Sequence, residues 1–147
     1  MTDFSRIPWI QAHIELYRTD PERAHHWDSS ELGGPGVIPT LLLTTRGRRS
    51  GEPRALPLIY GTHGGSFVVI ASKGGMPQHP LWFRNLEAHP ECEVQVGTRT
   101  LRARARVAEG AERDELWSLM QTIYPPYDAY QKRTERVIPV VVLDPID

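Results

Sequence analysis

The sequence predicts a mainly β protein, a small antiparallel barrel of about six strands with flanking helices. Three observations predict it. Six short segments, residues 40–45, 54–60, 66–71, 92–96, 100–107 and 137–143, are rich in strand-forming residues or alternate apolar with polar ones. Turn sequences of hairpin type, Thr62-His63-Gly64-Gly65 and Gly97-Thr98, join two of the strand pairs. Only a few stretches carry helical periodicity, so the sheet must supply most of the core.

Taken in order, residues 7–18 put Ile7, Ile10, Ile14 and Tyr17 on one face of an amphipathic helix, with the ring of Trp9 near its start. This helix packs over the barrel or its opening. A lid, or a weak contact with a membrane surface, is the second reading, because the polar face is not notably basic. Residues 19–36 form a polar connection holding His25-His26-Trp27 and Gly33-Gly34-Pro35-Gly36, without the spacing of a dinucleotide fingerprint. The apolar run Leu41-Leu42-Leu43 reads as a buried strand, and Pro53 and Pro57 make the next strand an edge or a bulged one. An edge exposes backbone that can hydrogen-bond a flat ring system. Pro80 suits the first position of a helix ending near Ala88. In residues 100–107, Leu101, Ala103, Ala105 and Val107 face inward, and Arg102, Arg104 and Arg106 form a solvated face. Leu116, Leu119, Met120 and Ile123 face inward from a second helix, which Pro125-Pro126 stops. One further turn over residues 127–132 precedes the last strand.

Composition excludes several classes. The 147 residues are 39% apolar and 24% charged, with a net charge of −1, so nothing global recruits nucleic acid or an acidic membrane. Cys92 is alone, which leaves no disulfide framework or thiolate zinc site and suits a reducing cytosol. The histidines show no ligand spacing, and no nucleophile elbow or phosphate-binding Walker loop occurs. No long apolar stretch marks a signal peptide or a transmembrane span.

What remains is a local concentration of cations. Arg46, Arg48, Arg49, Arg54 and Lys73 fall at strand ends and turns, among Gly47, Gly51, Gly74 and Gly75. About 10 Å of extended chain separates Gly51 from Arg54, so Arg48, Arg49 and Arg54 can converge on one phosphate or carboxylate group. A solvated basic loop is the plainer reading; the glycines and the following helix start favour an anion site. Trp82 and Asn85 share a helical face, where an indole can cover a ring and an amide can bond an acid group. Tyr124, Tyr127 and Tyr130, spaced by three, either pack on the barrel or wall a substrate with neutral phenols.

These motifs in this order resemble the deazaflavin-dependent nitroreductase family of actinobacteria, a class A group within the split β-barrel flavin and deazaflavin oxidoreductases. The resemblance rests on Thr44-Thr45-Arg46-Gly47-Arg48-Arg49-Ser50-Gly51-Glu52-Pro53-Arg54, Ala71-Ser72-Lys73-Gly74-Gly75 and His79-Pro80-Leu81-Trp82-Phe83-Arg84-Asn85-Leu86. It continues through Tyr124-Pro125-Pro126-Tyr127-Asp128-Ala129-Tyr130 and Ile138-Pro139-Val140-Val141-Val142, covering about residues 10–145. It implies a split β-barrel of the FMN-binding type, with residues 1–36 as a covering helix and loop and residues 37–147 as the cofactor-binding barrel of a single domain. It also implies coenzyme F-420, an 8-hydroxy-5-deazaflavin with a phosphate and an oligoglutamate tail.

Carried over by position, Arg48, Arg49, Ser50 and Arg54 would hold phosphate and glutamate groups. Ala55, Leu56, Pro57, Leu58 and Ile59, with Ile70, Ala71, Ser72 and Lys73, would line the deazaflavin, largely through backbone. Leu81, Trp82, Phe83, Arg84 and Asn85 would close over it, and Tyr127 would border cofactor and substrate. Tyr124, Tyr127, Tyr130 and Ser72 would orient a small-molecule hydride acceptor: a quinone, an activated enone or a nitroaromatic. Ile59 and Phe83 stand where close relatives often carry tyrosine, which bears on nitroimidazole reduction. An FMN-dependent oxidoreductase on the same barrel and a non-catalytic deazaflavin- or haem-binding protein are the alternatives. The expected location is the cytoplasm, with the inner membrane face as the second reading; the sequence does not fix the oligomeric state.

Overall fold

The computed structural model describes residues 8–30 and 34–146. Ile7 of the expected helical face and Gly33 of the glycine cluster lie outside the described residues. The elements run α1 (Pro8–Thr19), α2 (Pro21–His25), β1 (His26–Asp28), β2 (Val37–Arg46), β3 (Pro53–Ile59), β4 (Gly61–His63) and β5 (Ser66–Ile70). A 3-10 turn (Lys73–Gly75), α3 (Leu81–Ala88), β6 (Glu91–Val96), β7 (Arg99–Val107), α4 (Gly110–Ile123), α5 (Pro126–Lys132) and β8 (Val140–Ile146) follow. No helix among the described residues is long and apolar enough to cross a membrane.

All strand pairs are antiparallel, in the order β3-β2-β6-β7-β8-β5-β4, with β1 also on β2. The two ends of this curled sheet, β3 and β4, are consecutive in sequence and separated only by Tyr60. The barrel is thus joined across its seam by the chain itself rather than by a ladder. β3 pairs only with β2, from Thr40 opposite Ile59 to Arg46 opposite Pro53. This is the edge that Pro53 and Pro57 require, since neither can donate to a second neighbour.

The apolar runs follow from burial on both faces. Leu41 and Leu43 point into the barrel with Val69, Val94, Ala103, Val141 and Leu143. Leu42 points out to Ile10, Ile14, Tyr17 and Ala24 under α1 and α2. β5 and β8 divide likewise: Phe67 and Val69 face in, whereas Val68, Ile70, Val140 and Val142 meet Leu116 and Met120 of α4. Trp82, Phe83 and Leu86 of α3 join the barrel cluster. Cys92 lies there too, its thiol pushed up to about 12 by burial.

The sheet has eight strands rather than about six. The additional β1 and β4 are three residues each, too short to show a period, and exist through pairing with β2 and β5. The last strand starts at Val140, not at residue 137: Pro139 cannot donate to a ladder, and Val137 is exposed. Leu101, Ala103 and Ala105 pack against the barrel cluster, but Val107, at the strand end, is exposed. The arginine face is solvated as expected, with Arg102 and Arg104 near Glu91, and Arg106 bridging Glu112 and Asp144. Pro80 caps α3 instead of opening it.

Leu43→Ala removes a fully enclosed side chain from the barrel. The expected loss is about 2–5 kcal/mol in urea unfolding, with the slope unchanged. A loss below about 1 kcal/mol would mean that the barrel interior re-collapses and is not the close-packed core described here.

Candidate cofactor and substrate site

At the seam the barrel opens into a cavity of about 430 Å³. Its floor is the unpaired side of β3, through Leu56, Pro57, Leu58 and Ile59, and the end of β5, through Ile70. Ser72, Lys73, Gly74 and Met76 of the following loop line it, with Pro80 and Trp82 at the start of α3. Tyr124, Tyr127 and Tyr130 form one wall. Trp9, Ile10 and His13 of α1, with Trp27 and Thr40, form the opposite cover. A pocket of this size with apolar walls and few polar groups suits a small organic ligand.

The loop at residues 72–76 is the most contorted backbone near the cavity. Lys73 has φ 47°, and Gly74 and Gly75 have φ 62° and 79°. A non-glycine residue in this region is uncommon and strained. Ser72 is right-handed helical, and the change of hand from Ser72 to Lys73 turns successive N–H groups toward one side, an arrangement that binds anions and carbonyl oxygens. Gly75 is required for a second reason: a Cβ there would collide with the Tyr130 carbonyl oxygen. Lys73 is buried, and that burial, then the nearby Arg136, lowers its pKa.

The tyrosines divide into a pair and a single phenol. The hydroxyls of Tyr124 and Tyr130 hydrogen-bond each other at 2.9 Å. Tyr127 packs edge-on against Tyr124 with ring centroids 4.9 Å apart, and its hydroxyl has no hydrogen-bond partner among the described residues. Burial, more than neighbouring phenols, raises the pKa of Tyr124 and Tyr127, so both are neutral donors at physiological pH. The Ser72 hydroxyl likewise has no partner among the described residues.

The cover is a run of stacked rings. Trp9 lies on Trp27 with centroids 5.8 Å apart and planes 7° apart, and His13 stacks on Trp27 and Tyr17. His13 Nε2 donates to the Ala24 carbonyl at 2.8 Å, and the Thr40 hydroxyl donates to the same oxygen at 2.7 Å. The Tyr17 hydroxyl donates to the Thr40 carbonyl. Burial depresses the His13 pKa, which keeps the ring neutral.

The basic turn lies outside the cavity. Arg48, Arg49, Ser50 and Arg54 are exposed, and Arg48 and Arg49 have no carboxylate partner among the described residues. Arg54 lies 3.9 Å from Glu52. Arg54 and Leu56 are on one face of β3, about 7 Å apart along the strand, so the turn continues the cavity floor. Asn85 fixes this turn: its Oδ1 accepts from the Arg48 N–H at 3.1 Å and its Nδ2 donates to Thr45 Oγ1 at 3.0 Å.

Of the residues singled out by sequence, the cavity gathers Leu56, Pro57, Leu58, Ile59, Ile70, Ser72, Lys73, Trp82 and the three tyrosines. Ala55, Ala71, Leu81, Phe83, Arg84 and Asn85 do not line it. Ala71 is sealed in the barrel, and Phe83 packs between His79 and Trp82. The sequence reading assigned no site role to Trp9, His13, Trp27, Thr40 or Met76. A signal for His13 exists, since it shares the buried face of α1 with Ile10, Ile14 and Tyr17.

The family model described as F-420H(2)-dependent quinone reductase matches residues 16–145. The chain belongs to that family. An F-420H(2)-dependent quinone reductase of Mycobacterium tuberculosis is 35% identical over 96% of this chain and 97% of its own length. Among solved structures, an F-420H2-dependent reductase is 42% identical over 71% of this chain and 93% of its own, with TM-score 0.67. A domain-swapped dimer is 36% identical over 93% and 98%, with TM-score 0.70. The matching family carries quinone reductase, not nitroreductase, in its name.

Membership of the quinone reductase family implies coenzyme F-420, and the residues present fit it. The cavity offers a strand edge for a flat heterocycle, apolar walls for its faces and a cationic turn beyond one end for an acidic tail.

His13, His25 and His79 are each held below the ordinary imidazole value of 6.5, in every case chiefly by burial. The unfolded chain therefore takes up protons more readily than the folded one. Stability is full above about pH 6.5 and falls as pH drops below it. The lowered carboxylates Glu112 and Asp144 add losses only from about 4.5 downward. Urea unfolding at stepped pH should show a decline beginning between about pH 7 and 6, shallower in His13→Phe. A flat profile down to about pH 5 would show that these rings charge freely in the fold.

Proposed function

We propose that this chain transfers a hydride from reduced coenzyme F-420 to a quinone, as the names of its relatives describe for them. The observation that carries the reading is the continuity of the unpaired β3 edge, the Ser72–Lys73 loop and the tyrosine wall around one cavity. When bound, reduced coenzyme F-420 supplies the hydride.

The protein's part is to bind, orient and exclude water. Leu56, Pro57, Leu58 and Ile59 would receive the ring system along the strand edge, with Ile70, Ser72 and Lys73 at its side and Ala71 behind them in the barrel. Trp82 would cover it; Leu81, Phe83 and Arg84 act through the placement of α3, and Asn85 through its bonds to the basic turn. Arg48, Arg49, Ser50 and Arg54 would hold the phosphate and glutamates. Residues 1–36 would serve as the cover and 37–147 as the barrel of a single domain.

Tyr127 is the strongest candidate to donate a hydrogen bond to the acceptor oxygen, because Tyr124 and Tyr130 already engage each other. The Ser72 hydroxyl is a second available donor. Nitroaromatics and activated enones present comparable oxygens, and Ile59, which lines the cavity without a polar group, weighs against reduction of nitroimidazoles, whereas Phe83 packs outside it. A cytoplasmic enzyme fits the single reduced thiol.

Oxidation of F-420H2 by menadione tests the reading: turnover with F-420H2 and none with FMNH2 supports it, and the reverse supports a flavin enzyme. F-420 affinity should fall with added salt and with a shorter glutamate tail, since attraction between exposed charges is screened over about 10 Å at 0.1 M. Arg54→Ala should weaken binding about tenfold, the low end for a charged hydrogen bond because the side chain is half exposed and near Glu52. Equal affinity under all these changes would remove the tail from the basic turn.

Tyr127→Phe should lower kcat and kcat/KM together, by up to about 10²-fold, while F-420 affinity stays near wild type. Tyr124→Phe and Tyr130→Phe should each have smaller effects, since each breaks the bond between these two phenols rather than one to the acceptor. Wild-type rates in Tyr127→Phe would leave this ring as packing.

A further inference from the structure

Arg136 makes the densest set of side-chain hydrogen bonds near the cavity, yet it does not line it. Its Nε donates to the Met76 carbonyl at 2.8 Å, Nη1 to the Ala71 carbonyl at 3.2 Å and Nη2 to the Ser72 carbonyl at 2.6 Å. Nη1 also lies 3.0 Å from His79 Nδ1, which accepts when the ring is neutral. Burial first, and then the Arg136 charge, hold His79 in that neutral form. Among the described residues this cation has no carboxylate partner. The guanidinium is committed to backbone carbonyls on both sides of the left-handed residues Lys73, Gly74 and Gly75.

The backbone of Arg136 is anchored to the tyrosine helix. Its carbonyl accepts from Gln131 Nε2 at 2.8 Å, and Gln131 Oε1 accepts from the Ile138 N–H at 2.9 Å. Gly75 meets the Tyr130 carbonyl so closely that no Cβ fits between them. One planar group therefore joins the loop carrying Ser72 and Lys73 to the helix carrying Tyr127 and Tyr130.

We propose that Arg136 is a positioning residue for cofactor binding, which holds the 71–76 segment in its cofactor-receiving shape and in register with the tyrosine wall. This rests on the reading that the cavity receives coenzyme F-420. Lys73 occupies a strained conformation, and a rigid fork reaching carbonyls on either side of it opposes relaxation of the loop. An ammonium at the same place is a point charge on a flexible stem and cannot hold the same three carbonyls at once.

Binding of oxidised F-420, followed by its own fluorescence anisotropy without turnover, tests this. Arg136→Ala and Arg136→Lys should both raise Kd about tenfold or more while circular dichroism shows a folded chain. Millimolar methylguanidinium should restore binding to Arg136→Ala but leave wild type and Arg54→Ala unchanged. Arg133→Ala is the comparison: that guanidinium lies over the Tyr130 ring and makes a single 3.5 Å hydrogen bond to the Gly74 carbonyl, and its loss should change Kd less than about threefold. Folded variants binding within about twofold of wild type, or no rescue, would overturn the positioning role. Failure of both variants to fold would also overturn it, making Arg136 a residue of general stability. Wild type failing to bind F-420 would instead sink the functional reading, and the inference with it.

Discussion

A curled antiparallel sheet must either complete its ladder or leave two edges, and an edge is a row of backbone groups seeking partners. In this protein the edges are β3 and β4, and the chain steps from one to the other through Tyr60 alone. The step is too short for β3 to gain a second strand, and Pro53 and Pro57 remove two of the donors such a strand would need. Everything proposed for the site depends on this seam. The cavity floor is the unpaired side of β3, and α1, α3, α5 and the loop after β5 contribute walls.

The site separates its electrostatics in space. Exposed arginines at the β2–β3 turn keep their hydration and, on the proposed reading, would attract an acidic tail at a distance, where salt screens them. Inside, charge is scarce: Lys73 is buried with its pKa lowered, and His13 and the phenols of Tyr124 and Tyr127 are neutral. A neutral, apolar enclosure suits a reaction in which two flat rings must meet and little protein charge is called for. Behind the cavity lining, hydrogen bonds of Asn85 hold the basic turn and those of Arg136 hold the loop.

The strands buried on both faces were legible because Leu41-Leu42-Leu43 and Phe67-Val68-Val69-Ile70 announce themselves as apolar runs. The edge position of β3 was legible from its two prolines. β1 and β4 were not, since a strand of three residues is defined by its partner and not by its own pattern. The same limit applies to the site. Short motifs pointed to Lys73, Trp82 and Tyr127, which share local glycine, proline or aromatic spacing. His13 reaches the cavity because α1 folds back across β2 and β3, and Trp27 because the three-residue β1 pairs with β2, contacts with no local signature. Asn85 was read as a ligand group, and tertiary structure gave both its amide atoms to Arg48 and Thr45.

The central claim is that the open side of β3 and the adjoining loop receive a flat heterocycle through backbone groups. Amide hydrogen exchange with and without oxidised F-420 tests it most directly. The account predicts added protection at the Ile59 amide, whose N–H points away from β2, and at those of residues 72–74, with the inner strands β6 and β7 unchanged. Tight binding without protection along β3 would contradict it, because the heterocycle would then lie elsewhere than at the seam.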